Sequence, residues 1–356
     1  MANINIIGNG FDLYHGLPTS YYYFACYFLK NYEEVYDQLA SMYGISKGSY
    51  SHISEDLTRG IDDKGFWSQF EKSLGYLDSG WVEGSLLDDL DLEFSDPAVE
   101  LEIDRPNIVR NIKEILHSWI HNTVDKDEIY MIVRKGLQDS YIRFDNDDTF
   151  ISFNYTHTLE KIYEIEDVFH IHGECCDENE DELIIGHGNY KEILRLQNKI
   201  SELDDDAQFY QAANNRVQEY SFEKEILESL RKPVSECEAA LESRLSYCSK
   251  PDLINVYGCS LGEVDRPYMK LIHEKWPDVK WRFSVYSSRD REWIDEAANQ
   301  IGLEEGQWTL FEFKNLMSTD IQKEIVSKEG IMTYPTMDEL LSTNKRRIDN
   351  NGFTNN

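Results

Sequence analysis

Apolar residues fall into two kinds of run along this chain. Short, near-continuous stretches closed by glycine or a polar residue lie at 4–7, 149–153, 168–172, 183–185, 253–257 and 282–286. Such runs are expected of parallel strands covered on both faces, whereas a half-exposed sheet would alternate. Elsewhere the period is helical. Tyr21, Phe24, Ala25, Phe28 and Leu29 recur after Thr19, a candidate N-cap, and Ile108, Ile112, Ile115, Leu116, Trp119 and Ile120 share one face after Pro106. The polar, Glu/Lys/Gln-rich stretch from about 190 to 250 reads as two or three helices. A first strand, a helical block and several further buried strands predict an α/β fold with a doubly wound parallel sheet of Rossmann-related type. Residues 1–19 and 146–335 then form the core, with a helical insert at about 190–250. Residues 20–145 form a helical insertion, and 336–356 a polar C-terminal segment, frayed at its end.

Charge narrows the partners. With 35 basic and 67 acidic residues among 356, the formal charge is −32, which repels nucleic acid and anionic lipid. Nine of the acidic residues lie between Glu83 and Asp104 with no Lys or Arg, a solvated insert or a docking surface for a basic partner. The six cysteines follow no repeating frame, the N-terminus carries no basic region leading into an apolar run, and no segment approaches the ~20 apolar residues of a membrane span. The expectation is a cytoplasmic chain with reduced thiols.

In a doubly wound sheet ligands sit beyond the carboxyl ends of the strands, which selects the residues to inspect. The first strand runs into Gly8-Asn9-Gly10-Phe11-Asp12, followed by His15-Gly16-Leu17-Pro18. Two glycines one residue apart let backbone approach a pyrophosphate, yet an ordinary turn has the same form, and the G-x-G-x-x-G fingerprint is broken by Leu13. Asn154, in Phe153-Asn154-Tyr155-Thr156-His157, is placed either to orient water or a sugar hydroxyl or to cap the next helix. His170 and His172 in His170-Ile171-His172-Gly173 would share a face if the strand ran through both. His172 suits a general base with the ordinary imidazole value near ~6.5. A metal reading through Cys175, Cys176 and His187 has no usual ligand spacing behind it. Tyr257-Gly258-Cys259-Ser260 offers Gly258 and Ser260 to phosphate or ribose, with a plain turn as the alternative. Cys259 has no base tied to it as a nucleophile would need. Tyr286 and Ser287 face the adenine end in this reading.

The order of these blocks resembles the sirtuin-like superfamily. The segments GNGFDLYHGLPTSY, FNYTHTLEKIY and HIHGE resemble more closely the bacterial abortive-infection AbiH family, whose members carry a sirtuin-like core. The resemblance implies NAD as substrate, hydrolysed at the nicotinamide–ribose bond to ADP-ribose and nicotinamide. It implies Asn154 orienting water or ribose, His172 as base and Asp12 beside the reacting ribose. Gly8, Asn9, Gly10, Phe11, Asp12, Asn154, Tyr155, Gly258, Cys259, Ser260, Tyr286 and Ser287 would hold the dinucleotide. No C-x-x-C pair is present, so the zinc ribbon of the deacylating sirtuins is not expected, and the reaction needs no metal. The alternative is a catalytically silent nucleotide sensor or partner-binding module of a defence system. A phage-derived trigger, a partner protein and a homo-oligomer stay open, while nucleic-acid and membrane binding are not expected.

Overall fold

The computed structural model describes residues 2–45, 66–82, 107–137, 141–176, 183–207, 210–286 and 288–313. Six parallel strands form one sheet: β1 Ile4–Ile7, β2 Thr149–Ser152, β3 Val168–His170, β4 Leu253–Tyr257, β5 Lys280–Val285 and β6 Trp308–Glu312. Their order is β3-β2-β1-β4-β5-β6, the arrangement of dinucleotide-binding doubly wound sheets. The order in which successive strands are added reverses between β1 and β4, so a crevice opens at the carboxyl ends of those two parallel neighbours.

Side-chain alternation explains how both faces are covered. Ile4 and Ile6 join Ile151, Ile254, Val256, Trp281 and Phe283 on one face, beneath the helices Val234–Ser246, Arg266–Lys275 and Ser288–Ile301. Ile7 turns the other way and packs with Phe150, Tyr257, Leu159 and Phe11, the last two from the short helices Thr158–Tyr163 and Asn9–Tyr14. Asn5 and Asn255 interrupt this second face. Asn255 Nδ2 donates to Asn5 Oδ1 at 3.0 Å and Asn5 Nδ2 to Asp148 at 2.9 Å. The buried amides therefore form a ladder across β4, β1 and the approach to β2.

Helices Tyr21–Asn31, Glu33–Met42, Asn107–Trp119 and Asp127–Leu137 build a second core, dense in aromatic rings such as Phe24, Phe28, Tyr36, Trp67, Phe70 and Trp119. A π-helical turn, Ile120–Val124, joins the last two helices. The N-cap position of helix Tyr21–Asn31 is Ser20 instead of Thr19, and its side chain makes no capping hydrogen bond. Three helices, Tyr190–Ala207, Gln211–Ser229 and Val234–Ser246, occupy the polar stretch. No helix among the described residues is long and apolar enough to cross a membrane. The acidic segment 83–104 and the tail 336–356 lie outside the described residues.

Two strand expectations need correction. Residues 183–185 form no strand of the sheet: Leu183 and Ile185 are buried in the helical core, and the Ile184 amide donates to His172 O. The sixth strand, Trp308–Glu312, escaped notice because an edge strand with one exposed face has no continuous apolar run. β3 ends at His170, two residues before the end of its apolar run.

The β1 and β4 turns meet backbone to backbone. Gly8 N donates to Tyr257 O at 2.9 Å and Gly10 N to Gly258 O at 2.8 Å. A Cβ on Gly8 would lie 2.6 Å from Cys259 Cα, one on Gly10 2.6 Å from Gly258 Cα, and one on Gly258 2.3 Å from Phe11 N. Gly258 also has φ +63, where a side chain is strained. Gly258→Ala is therefore expected to lose at least about 2 kcal/mol more than Gly306→Ala in urea unfolding. Gly306 shares the positive φ but has open space around it, so it reports backbone strain alone. Equal losses would show that the close approach is not restrictive.

Candidate active site

Beyond the carboxyl ends of β1, β2 and β4 lies a cavity of about 440 Å³, within the usual size of small-molecule sites. Gly8, Asn9, Gly10 and Asp12 line it from the first turn, and Asn154, Tyr155 and Thr156 from the β2 turn. His172, Gly258, Cys259, Ser260 and Tyr286 also line it, so all of the residues expected from the sequence except Phe11 and Ser287 stand on this cavity or its rim. The helical block roofs it with Leu116, Trp119 and Ile120, while Trp293 and Phe313 add further apolar wall.

Each polar group is held in place. Asn154 does not cap the following helix, whose N-cap is His157; its Nδ2 instead donates to Gly8 O at 3.1 Å, linking the β2 turn to the β1 turn. Asp12 is 1% exposed and accepts from Thr156 Oγ1 at 2.5 Å and Thr158 Oγ1 at 2.7 Å. Burial pushes its carboxyl up to about 6, and the hydrogen bonds from Thr156, Thr158 and Asn154 limit the rise.

His172 departs from the ordinary imidazole. Burial, together with the charge of Lys232, holds it well below the usual histidine range, so it is neutral. A hydrogen bond to the Phe153 backbone engages the ring on one side. Nε2 is buried without a partner, and the residue lines the cavity. The arrangement presents a lone pair suited to accepting from a ligand hydroxyl, and it makes a weaker base than an unperturbed histidine.

His170 and His172 do not share a face, because the chain leaves the strand between them. His170 Nδ1 donates to Asn154 O at 2.8 Å and its Nε2 meets Glu160 at 2.9 Å, away from the cavity lining. Burial alone would lower His170, but the hydrogen bond and charge of Glu160 raise it. Phe11 is also absent from the lining; it is fully buried in the core beneath the sheet. Ser287 lies outside the described residues. Cys175, Cys176 and His187 do not converge on one point: the Cys175 thiol faces His117 O, and His187 Nε2 meets Leu227 O at 2.8 Å. Cys259 carries a thiol raised well above its usual range by burial, unsuited to a nucleophile. The amides of Gly8 and Gly10 are already bonded to the β4 turn, so these glycines act first through close packing.

Sequence reasoning missed a second group on the same cavity. Lys232, 3% exposed, donates to Glu71 at 2.7 Å and lies 3.8 Å from Asp265, and Tyr21 OH donates to the other Glu71 oxygen at 2.6 Å. Burial alone would lower Lys232, but the two carboxylates raise it, so it is charged. Burial pushes Asp265 up to about 6, with Lys232 opposing. The three charges come from three distant segments, and no spacing links them. The available signal was Asp265-Arg266-Pro267, a helix-start pattern whose Asp makes no side-chain cap. Counting Asp290, four carboxylates line the cavity against one lysine. Its field favours positive charge.

A family model described as "Bacteriophage abortive infection AbiH" matches residues 4–286. No curated protein and no solved structure matches the chain.

The Asp12 environment has a measurable consequence. Its value near 6 lies above the ~3.9 of an unfolded aspartate, so the folded chain retains the proton between these limits. The contribution to stability is complete below about pH 4 and is lost as pH rises through about 6. The stability of the native chain minus that of Asp12→Asn should fall by on the order of 2–3 kcal/mol from pH 4 to pH 7 in urea melts. A difference independent of pH would contradict it.

Proposed function

Since the chain belongs to the AbiH family of bacteriophage abortive-infection proteins, we propose that it hydrolyses NAD+ at the nicotinamide–ribose bond within a sirtuin-like core. Its biological setting is phage abortive infection. The observation that carries the chemical reading is the convergence of the Asn154 amide, the Asp12 carboxyl and the unpartnered His172 Nε2 on one cavity at the switch point of the sheet.

Each group then has a task. Cleavage sends the electron pair of the C1′–N bond to the nicotinamide ring, which leaves neutral, and positive charge develops at the ribose. Asp12, ionised above about pH 6, stabilises that charge at close range, and the other cavity carboxylates reinforce it. Asn154, anchored to Gly8 O, holds water or a ribose hydroxyl in line. Water bonds to C1′ and releases its proton toward His172 Nε2, directly or through a ribose hydroxyl. Ser260 and Tyr286 at the β4 and β5 ends would meet the rest of the dinucleotide.

A second reading, a catalytically silent nucleotide sensor, draws on a different observation. Burial and the charge of Lys232 hold His172 well below the usual histidine range, so its ring is better suited to accept a hydrogen bond from a ligand hydroxyl than to take its proton.

Purified protein, with and without extract of phage-infected cells, should convert NAD+ to ADP-ribose and nicotinamide by chromatography. Asn154→Ala and His172→Ala should each reduce the rate by roughly 10²-fold or more while remaining folded by far-ultraviolet circular dichroism. Equal turnover by Asn154→Ala would overturn the assignment. Calorimetric binding of NAD+ or ADP-ribose with no turnover under either condition would establish the sensor instead.

A further inference from the structure

Outside the cavity, on the far side of the Asn154 backbone, two histidines and two glutamates come together. His170 ends β3, Glu174 follows four residues later, Glu160 lies on the helix Thr158–Tyr163 and His157 caps it. His170 Nε2 is 2.9 Å from Glu160 Oε1 and 3.8 Å from Glu174 Oε2, and His157 Nε2 is 3.1 Å from the same Glu174 oxygen. One ligand atom each from Glu160, His170 and Glu174 lies within 4.8 Å of the others.

The hydrogen bonds of the rings orient both Nε2 atoms in a telling way. His170 Nδ1 donates to the Asn154 carbonyl, and His157 Nδ1 faces the Asp125 carboxylate. In the metal-free chain each Nε2 shares a proton with the carboxylate it meets. A divalent cation would displace those protons while leaving both Nδ1 hydrogen bonds in place. Histidines that bind metals use this same support, one nitrogen on the metal and the other donating to a carboxylate or backbone carbonyl. An independent sign is Glu160 Oε2, which is buried and has no hydrogen-bond partner. The observed separations also bracket the roughly 3.3 Å between ligand atoms around zinc with bonds near 2.0–2.1 Å.

We infer that Glu160, His170 and Glu174 bind a divalent transition-metal ion of the zinc class, with His157 beside them and Asp125 and the Asn154 carbonyl as outer support. Glu174 is 48% exposed, which gives the ion a route from solvent. Mixed imidazole and carboxylate donors favour such an ion over calcium or magnesium, which take oxygen ligands. The ion would fasten the end of β3 to the helix after β2 and so steady the Asn154 backbone. This inference is independent of NAD+ hydrolysis.

The test uses the full chain after chelator treatment and dialysis, titrated with Zn²⁺ alone in a calorimeter, with metal content measured after desalting. The expected result is one ion per chain with Kd below about 10 µM. Glu174→Gln, at a half-exposed position, and Glu160→Gln should each weaken binding by at least about 10-fold. Far-ultraviolet spectra and melting without metal check that the variants are folded. Binding weaker than that limit, or variants that bind as the native chain does, would overturn the site and leave an imidazolium–carboxylate network.

Discussion

The close approach of two glycine turns governs this molecule. Gly8 and Gly10 after β1 lie against Gly258 after β4, with no room for a Cβ at any of the three. Two amides cross between the turns, and a third hydrogen bond, from Asn154, ties the β2 turn to Gly8 O. Three strand ends are thereby held in one arrangement, and the cavity lies directly beyond them. Because the glycine amides act within the protein, recognition of a ligand falls to side chains around the contact. Asn154, Asp12, His172, Ser260 and Tyr286 are among those that line the cavity.

Burial then sets the chemistry of those side chains. Asp12 and Asp265 are both raised to about 6, while His172 is held neutral. Lys232 is the cation that makes a carboxylate pair tolerable at this depth, and its charge also suppresses protonation of His172. An unpaired charge there would cost several kcal/mol, so the Glu71–Lys232–Asp265 group is structural as well as electrostatic. An acidic cavity suits a reaction that develops positive charge at a sugar, and it is a poor match for phosphate alone.

The sheet was largely legible because buried parallel strands leave near-continuous apolar runs, as at 4–7 and 253–257. The same rule failed at 183–185, where the apolar run serves the helical core, and at Trp308–Glu312, where half exposure dilutes the run. The convergence of Asn154 and His172 was legible for a different reason. Doubly wound topology places turns after parallel strands at one rim, whatever their separation along the chain. Local spacing could not show that β3 ends before His172, which sends His170 to Glu160 and His172 to the cavity. Nor could it assemble Glu71, Lys232 and Asp265, whose union depends on how the helical block lies over the sheet.

The central claim is that one ribose-sized space is shared by the Asn154 amide, the Asp12 carboxyl and His172 Nε2. A crystal structure of the full chain with ADP-ribose tests it most directly. The account requires the ribose nearest C1′ to lie within hydrogen-bond distance of His172 Nε2 and beside Asn154. Ligand bound elsewhere, or this cavity empty at saturating ADP-ribose, would contradict it.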